Sequence, residues 1–550
     1  MSMSDVIGTN GSGTAAEEIG AAAARLARDA IAAAAVGGMA PPTAPPTAPV
    51  PAPMIPSAAG QQVDTPLPTG MTLPSGLLQP HGLPQQPREA APATHHHSVQ
   101  RGTTDWTGLR RFVSQVRGLD HRQSAPLPAW QGAGLQSAAG VPATAAAAGF
   151  DVDRVRLDFP ILQERIHGHP LAWFDNAATT HKPQAVIDAL VRFYATDYSN
   201  IHRGAHTLAA RATEAYESSR STVAAFLGAA APEEILFVRG CTEGINFVAN
   251  ILAPRLHPGD EIVLLELEHH ANIVPWQMVA QRTGAVIRVA PIDDRGEVIV
   301  EAYARLLGPR TRLVSMSHAS NSLGTIVPVE LLTALARAHG ATVVVDGAQS
   351  VSHFPVDVRR IGCDFYVFSG HKIFGPTGIG AVYGRGDLLA TLPPWQGGGN
   401  MIRDVSFERT TYADPPARFE AGTPSIADAV GLAAALDYVT ALGRERIAAY
   451  EHLLLHHATR RLEAIDKLRL VGTARDKVGV LSFVLAGHDP VAIGQRLDRA
   501  GIAVRAGHHC AQPSLRHFGL EATVRPSLAF YNTVAEIDRL ADVVAGIAAG

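Results

Sequence analysis

Short apolar runs alternate with helix-like periods from about residue 150 to residue 430 of this 550-residue chain. Runs rich in β-branched residues lie at 261–265, 312–316 and 342–346. Apolar residues at helical spacing lie at 184–196, 243–252 and 330–339. Strands that are apolar throughout and alternate with helices are typical of a mainly parallel sheet covered on both faces. We therefore predict an α/β fold here, with ligands bound where the strands end.

Two changes of pattern divide the chain. Before about residue 150 it is dominated by Ala, Pro, Gly, Ser and Gln, and such a segment cannot bury enough apolar surface to offset its ordering entropy. After about residue 430 long helical periods dominate, with a short strand pattern at 478–484. We predict a disordered extension over 1–150, a large α/β domain over 151–430 and a smaller C-terminal α+β domain over 431–550.

Two segments of the extension, 15–36 and 104–119, nevertheless have helical patterns. The second places Trp106, Leu109, Val113 and Val116 at helical spacing. Neither segment is long enough to form a core alone. A short amphipathic segment in such a tail can dock into a groove on a partner, pack on the chain's own folded domain, or have no role.

Composition narrows the class of protein. The formal net charge of −4 gives no reason to expect nucleic acid as a partner. The three cysteines, Cys241, Cys363 and Cys510, are too scattered for a disulfide framework or a CxxC metal site, and they fit a reducing compartment. The N-terminus lacks the basic region of a signal peptide, and no uncharged apolar run reaches about 18 residues. We expect a soluble cytoplasmic protein with no metal and no membrane span.

Lys372 and Asp346 both stand at the ends of apolar strands. Lys372 follows the run at 365–368, where burial lowers the pKa of an amine and makes it a nucleophile toward a carbonyl, unless it is an ordinary surface lysine. Asp346 ends the run at 342–346, where a carboxylate needs a cation beside it, unless it only caps a helix. A Schiff-base lysine and a carboxylate beside a protonated pyridine nitrogen are what a pyridoxal phosphate (PLP) enzyme requires.

Two further strand ends carry candidate ligands. Gly240 and Thr242 follow the apolar run at 235–238 and open a helix, and a glycine turn at a helix N-terminus suits a phosphate. That motif is weak when taken alone. His269 and His270 follow the run at 261–265, and no further metal ligands occur at a matching spacing. Stacking of an imidazole on a cofactor ring is therefore the better interpretation of this pair.

A second nucleophile is indicated near the C-terminus. Cys510 lies in a loop beside two histidines, with Arg505 close in sequence, and such neighbours can favour a thiolate. The alternative is a structural thiol, which Cys363 in its apolar surroundings fits better. Arg525 is a candidate for a bidentate pair with a substrate carboxylate, although it could also be structural.

At these residues the chain resembles the SufS-type (group II) cysteine desulfurases, which are fold-type I, PLP-dependent enzymes of the class V aminotransferase family. The resemblance covers about 151–550. The blocks that carry it are FDNAA at 174–178, NIHRGAH at 200–206, EHHANIVPW at 268–276, SHASNSLG at 317–324, VDGAQ at 345–349, SGHK at 369–372, FEAGTP at 419–424 and RAGHHCA at 505–511. The resemblance implies a mainly parallel seven-stranded sheet covered by helices, followed by the smaller C-terminal domain.

The resemblance also implies a role for each matching residue. Lys372 corresponds to the lysine that carries PLP, Asp346 to the partner of the pyridine nitrogen, Gln349 to the contact with the phenolic oxygen, and His269 to the stacking histidine. The implied phosphate ligands are Thr242, Ser369 and His371, with Thr423 supplied by the other subunit of a homodimer. Cys241 stands beside them where the family more often has threonine. The implied substrate-carboxylate contacts are Asn321, Arg505 and Arg525, and the implied sulfur acceptor on the enzyme is Cys510.

The expected reaction converts L-cysteine to L-alanine and leaves the sulfur on Cys510 as a persulfide, from which an acceptor protein takes it for sulfur mobilisation, iron–sulfur cluster supply or storage. A selenocysteine lyase, a cysteine sulfinate desulfinase or another class V aminotransferase-like enzyme is the first alternative. The second alternative is a protein of this fold that has no catalytic activity and acts as a scaffold through its N-terminal tail. The presence of Lys372, Asp346 and Cys510 argues against this alternative.

The extension needs a separate explanation, because ordinary members of this family begin near the position of Asp151. A long Ala/Pro/Gly-rich tail with short helical segments resembles the cargo-loading extension of cysteine desulfurases packaged in encapsulin shells. We expect an encapsulin shell protein as a candidate partner of 1–150, and a location in the cytoplasm inside such a compartment. The rival is a solubility or tethering segment with no dedicated partner.

Overall fold

The computed structural model describes residues 150–202 and 204–550. The predicted extension and its two helical segments lie outside these residues. The strands are β1 Arg165–Ile166, β2 His169–Pro170, β3 Ala172–Trp173, β4 Ile235–Val238, β5 Glu261–Leu265, β6 Val286–Ala290, β7 Thr311–Ser317, β8 Thr342–Asp346, β9 Phe365–Ser369, β10 Gly380–Gly384, β11 Ile402–Val405, β12 Thr410–Tyr412, β13 Leu468–Val471, β14 Ser482–Leu485, β15 Ile502–Ala503, β16 Arg505–Gly507 and β17 Thr523–Arg525.

Helices connect most of these strands. The α-helices span Val152–Leu157, Gln184–Arg192, Thr207–Leu227, Cys241–Leu252, Val274–Thr283, Val300–Leu306, Val329–Ala338, Val358–Ile361, Gly386–Ala390, Ile426–Leu442, Arg444–Glu463, Pro490–Arg499, Gln512–His517 and Val534–Ala549. Among the described residues no single helix has the length and apolar composition of a membrane span; the pair Ile426–Leu442 and Arg444–Glu463 meets that test only together, and it is bent by 75°.

Seven strands form the central sheet, in the order β4-β10-β9-β8-β7-β5-β6. All run in one direction except β10, which is antiparallel to both of its neighbours. The prediction of a mainly parallel seven-stranded sheet is therefore confirmed. Because six strands share a direction, the residues that follow β4, β5, β7, β8 and β9 all emerge at one edge of the sheet.

Both faces of this sheet are buried, which explains the apolar runs in the sequence. On β8, Val343 and Val345 enter one hydrophobic cluster and Val344 enters the other, since successive side chains of a strand point to opposite faces. Helix Cys241–Leu252 packs so closely on β9 that a Cβ at Gly244 would lie 2.4 Å from Val367 Cγ1. A glycine is needed at that point of the helix because no side chain fits.

A second, antiparallel sheet of four strands in the order β13-β14-β17-β16 lies in the C-terminal part of the chain. The predicted strand pattern at 478–484 corresponds to β14, and helices precede and follow it as expected. Near the start of the described chain, β3 pairs in parallel with β15, and Asp175 forms an isolated bridge with Ser527. These pairings bring the FDNAA block to the same place as β16 and β17. The domain boundaries at 150 and 430 stay predictions.

Candidate active site

The strand ends of the large sheet and the loop after β16 enclose a cavity of about 480 Å³. The predicted site residues that line it are Cys241, Thr242, His269, Asn321, Asp346, Gln349, Ser369, His371, Lys372, Arg505, Cys510 and Arg525. Thr423 is the exception, because its exposed hydroxyl lies 3.4 Å from Asn200 Oδ1 and does not line this cavity. One chain thus brings together every predicted site residue except the one expected from a second subunit.

Asp346 is held by two neighbours at the end of β8. Its Oδ1 accepts the Ala348 N–H at 2.9 Å and the Cys241 thiol at 3.0 Å. Burial, and then the Asp346 charge, raise the pKa of Cys241 well above its usual value, so Cys241 stays protonated and donates. No helix begins at Asp346, so the alternative of a helix cap does not apply. A buried carboxylate oriented in this way is suited to a cationic partner in the cavity.

Lys372 ends a 3₁₀ turn, Gly370–Lys372, that directly follows β9. Burial lowers the pKa of its ammonium, while the charge of Asp346 opposes that shift. Among the described residues the Lys372 Nζ has no hydrogen-bond partner, and this supports the nucleophile over the ordinary surface lysine. A lowered pKa makes the unprotonated amine, the form that attacks a carbonyl, more accessible than in an ordinary lysine.

His269 is neutral, and its proton position can be assigned. Its Nδ1 accepts the Ala271 N–H at 3.0 Å, and burial, followed by the charge of Lys372, lowers the pKa to about 4. The proton therefore resides on Nε2 at neutral pH. A neutral imidazole at this point of the cavity wall is suited to contact an aromatic ring and to donate one hydrogen bond.

Glu268 is a residue whose importance the sequence patterns did not reveal. It is fully buried and accepts hydrogen bonds from the Ser317 N–H at 2.8 Å, the Ser317 hydroxyl at 2.6 Å and the Asn272 amide at 2.7 Å. Burial raises its pKa to about 8. These bonds join the segment after β5 to the last residue of β7 and so fix the turn that carries His269. The sequence signal that could have identified Glu268 is a charged residue directly before His269 and His270, at the end of an apolar run.

The N-terminus of helix Cys241–Leu252 forms another part of the cavity wall. Ser369 Oγ accepts the Cys241 N–H at 2.8 Å, and Gly240 has a φ of 150°, where a Cβ would lie 3.1 Å from that oxygen. Thr242, Ser369 and His371 also line an adjoining cavity of about 560 Å³. First-turn N–H groups, hydroxyls and a glycine without a side chain suit a phosphate. Burial and the charge of Lys372 lower the pKa of His371 to about 4, so its ring is neutral.

Two arginines lie on the opposite side of the cavity, on adjacent strands. Arg525 Nη1 donates to the Asn321 carbonyl at 3.0 Å, and burial lowers the pKa of Arg525 to about 10. Asp175 accepts from both guanidinium groups: its Oδ1 from Arg525 at 3.1 Å and its Oδ2 from Arg505 at 3.1 Å. Asp175 is a second residue that the sequence patterns missed, because its partners are 330 and 350 positions away.

Cys510 is exposed, whereas Cys241 and Cys363 are buried. It lies between β16 and helix Gln512–His517, and both Cys510 and His509 have positive φ values of 53°. Its N–H donates to His508 Nδ1 at 3.0 Å, and its carbonyl accepts the His270 N–H at 2.8 Å. A non-glycine backbone with positive φ is strained, and here it directs a free thiol into the cavity wall. His509 turns away to Thr523, and burial lowers its pKa to about 3, so it supplies no positive charge to the thiol.

The donor set fits PLP. Lys372 offers an amine without a competing bond, Asp346 offers a buried carboxylate, and the helix N-terminus offers phosphate donors. Asn321 Oδ1 and Arg525 Nε are buried without partners among the described residues. Buried polar atoms rarely stay unpaired, so these atoms favour a polar group bound at this side of the cavity. The fold and the site together define a PLP-dependent enzyme of fold-type I.

Residues 172–540 match the model of the aminotransferase class-V family, and the chain belongs to that family. It is 62% identical over 402 residues to a probable cysteine desulfurase of Mycolicibacterium paratuberculosis. The aligned region covers 73% of this chain and 59% of that protein. It is 60% identical over 408 residues to a cysteine desulfurase of Synechococcus elongatus, with coverage of 74% and 65%. The chain thus spans less than two thirds of the length of these two relatives.

A solved structure is similar over nearly its whole length. The apo structure of a cysteine desulfurase from Thermococcus onnurineus NA1 superposes with a TM-score of 0.70 at 38% identity, and the match covers 72% of this chain and 98% of that one. PLP is the cofactor of this fold-type, so the expectation of that cofactor is confirmed. The roles of the individual site residues stay predictions.

The buried histidines predict loss of stability in acid. Burial lowers the pKa of His318 from 6.5 to about 3, so below pH 6.5 the unfolded chain binds a proton there that the folded chain does not. Stability is then lost as pH falls from about 6.5, at about 1.4 kcal/mol per pH unit for each such group. Glu268, whose raised pKa acts in the opposite direction, offsets part of this effect.

The measurement is chemical denaturation of wild type and His318→Gln at pH 7.5, 6.0 and 5.0. We expect the free energy of unfolding of the variant to fall less steeply with falling pH than that of the wild type, by about 1.4 kcal/mol per pH unit. Leu157→Gln is the matched control, because Leu157 is exposed and neither side chain titrates, so the slope should stay unchanged. Equal slopes for wild type and His318→Gln would contradict the assignment of a buried neutral imidazole.

Proposed function

We propose that the protein is a cysteine desulfurase that converts L-cysteine to L-alanine and keeps the sulfur on Cys510 as a persulfide. The observation that carries this proposal is the position of Cys510. An exposed, free thiol lines the same cavity as Lys372 and Asp346, so a sulfur nucleophile and the PLP-holding residues face one substrate. An enzyme that only moved amino groups would have no use for a thiol there.

The reaction balances without any further reactant. The Cys510 thiolate attacks the substrate sulfur, the substrate C–S bond breaks, and the sulfur remains on Cys510, while the carbon skeleton gains the proton that makes alanine. When bound, PLP supplies an electron sink for charge that develops on the substrate carbon. Arg525, beside Asn321, would hold the substrate carboxylate, and the lowered pKa of Lys372 suits it to accept and return the proton at the substrate Cα.

The test is a stoichiometric assay of the holoenzyme with L-cysteine. We expect one alanine for each sulfur recovered, and a mass increase of one sulfur atom on the peptide that contains Cys510 before any reductant is added. L-Selenocysteine and L-cysteine sulfinate are run in parallel. Faster alanine release from either of these, with no sulfur on Cys510 during turnover of cysteine, would favour a selenocysteine lyase or a desulfinase instead.

A homodimer in which each subunit completes the other's phosphate site is part of the proposal. Thr423 is exposed and lies outside the cavity of its own chain, which supports a role in a partner's cavity. Inactive Lys372→Ala and Thr423→Asp chains, mixed under refolding conditions, should regain activity, because one of the two sites in the mixed dimer is intact. A mixture of Lys372→Ala and Asp346→Asn is the matched control and should stay inactive. Equal results in the two mixtures would contradict a contribution of Thr423 in trans.

The finer assignments concern the SufS type, the sulfur acceptor and the location. The sequence blocks support the SufS type, and a persulfide on an exposed cysteine supports delivery to an acceptor protein. The Ala/Pro/Gly-rich extension of about 150 residues supports cytoplasmic packaging in an encapsulin shell.

Co-expression with the cognate shell tests the packaging proposal. We expect the full chain to co-purify with intact shells and the 151–550 fragment to be excluded, with equal specific activity in the two soluble enzymes. A fragment packaged as well as the full chain would overturn the role of the extension and leave the desulfurase proposal untouched.

A further inference from the structure

Arg505 and Arg525 are direct cross-strand partners in the register of β16 and β17. Like charges directly opposite each other on neighbouring strands are destabilising. The burial of Arg525, whose side chain is 3% exposed, adds the cost of removing that charge from water. Such a pair requires a compensating anion, and the structure provides one.

Asp175 is that anion, and it is held rigidly. Its Oδ1 accepts from Arg525 Nη2 at 3.1 Å, and its Oδ2 accepts from Arg505 Nε at 3.2 Å and Nη2 at 3.1 Å. Its backbone bridges Ser527, and its carbonyl accepts the Ala178 N–H at 3.0 Å. The carboxylate therefore lies between the two guanidinium groups and is hydrogen-bonded to both, and its backbone is tied to the strand that carries Ser527.

The charges of this cluster leave one positive charge uncompensated, because two guanidinium groups face one carboxylate. Arg505 lines the cavity, and Arg525, which also lines it, has a buried Nε that lacks a partner among the described residues. One carboxylate of an amino-acid substrate would complete the neutralisation. The cluster of Asp175, Arg505 and Arg525 would then have no positive charge left for a second negative group on the substrate side chain.

We propose that Asp175 is a specificity-determining residue that restricts the site to amino acids with a single negative group, as L-cysteine has, and disfavours amino acids with an acidic side chain. Asp175 acts through the two arginines and touches no reacting atom, so it is a positioning residue. The inference rests on the proposed function for the identity of the substrate, L-cysteine. The selection by charge applies to any amino acid that enters the cavity.

The test uses binding and requires no turnover. L-Alanine and L-aspartate are titrated into the PLP-loaded enzyme, and the change in the cofactor absorbance band gives a dissociation constant for each. We expect Asp175→Asn to improve the binding of aspartate relative to alanine by about tenfold or more, since one unit charge within a few ångströms is removed from a poorly screened site. Asp175→Glu keeps the charge and should retain the preference of the wild type.

Two further variants keep the test decisive if Asp175→Asn fails to fold. Arg505→Met lowers the cluster charge by one and should shift the preference further toward alanine. The double variant Asp175→Asn/Arg505→Met restores a net charge of one and should return the preference to the wild-type value. Asp538→Asn, which removes a carboxylate that pairs with Arg461 away from the cavity, is the matched control and should change nothing.

A ratio of the two affinities that stays within about twofold of the wild type in every Asp175 and Arg505 variant overturns the inference. A failure of the desulfurase proposal would look different. The enzyme would release no sulfur from L-cysteine, and the order of the alanine and aspartate affinities would stay as expected here.

Discussion

Replacing Cys510 with alanine is expected to abolish sulfur release from L-cysteine while the chain folds and binds PLP as before. The side chain is exposed and makes no hydrogen bond through its sulfur among the described residues, so its removal leaves no buried cavity and no unpaired partner. Among the described residues Cys510 is the exposed thiol of the cavity lining, whereas Cys241 is buried and stays protonated, so the loss of Cys510 should reduce the rate by about 10³-fold or more. Sulfide and alanine are measured together, and the absorbance of the bound cofactor reports on the integrity of the site.

Cys363→Ala is the control for this variant, because Cys363 is buried near β9 and contacts no cavity residue through its sulfur. It should retain the wild-type rate with a modest loss of stability. Sulfur release from Cys510→Ala at more than a few per cent of the wild-type rate would contradict the proposed role of the thiol. The selenocysteine reaction is unsuitable as a test, since selenium leaves more easily without a nucleophile.

Replacing Lys372 with alanine is expected to remove both the covalent attachment of PLP and all turnover. Burial lowers the pKa of this amine, and no other lysine lines the cavity among the described residues, so no second amine is available there for attachment and proton transfer. The rate should fall by about 10³-fold or more. Borohydride reduction followed by peptide mass analysis should find the cofactor on Lys372 in the wild type and nowhere in the variant.

Lys182→Ala is the matched control, since burial lowers the pKa of Lys182 to about 8 and its Nζ donates to the Thr180 carbonyl at 2.7 Å. It should keep both the cofactor link and activity. A reduced cofactor adduct on a residue other than Lys372 would contradict the assignment and would require another lysine as the anchor.

Much of this architecture could be predicted from local sequence. The run at 342–346 is apolar because both of its faces are buried, and that pattern identified β8 and the position of Asp346 at its end. The helix predicted over 184–196 is regular only to Arg192 and continues as a π-helical segment, Phe193–Asp197. Periodicity alone does not distinguish these two kinds of turn, because both continue the same apolar face.

What local sequence could not predict arises from contacts between distant segments. The antiparallel insertion of β10 between β4 and β9 depends on the packing of whole elements. Asp175 meets its arginines only because β3 pairs with β15 and so brings the N-terminal block to β16 and β17. The turn of His509 toward Thr523 depends on backbone angles that no residue type in that loop dictates.

The different exposure of the three cysteines has a practical consequence. Since the chain contains three cysteines and two of them are buried, a thiol-directed reagent meets a single reactive position on the folded molecule. The moles of reagent consumed before denaturation therefore count free Cys510 thiols, and the two further equivalents consumed per chain after denaturation count the molecules. In a fully reduced sample the first count is half of the second, and a lower ratio gives the fraction of molecules whose Cys510 thiol is already blocked or carries sulfur.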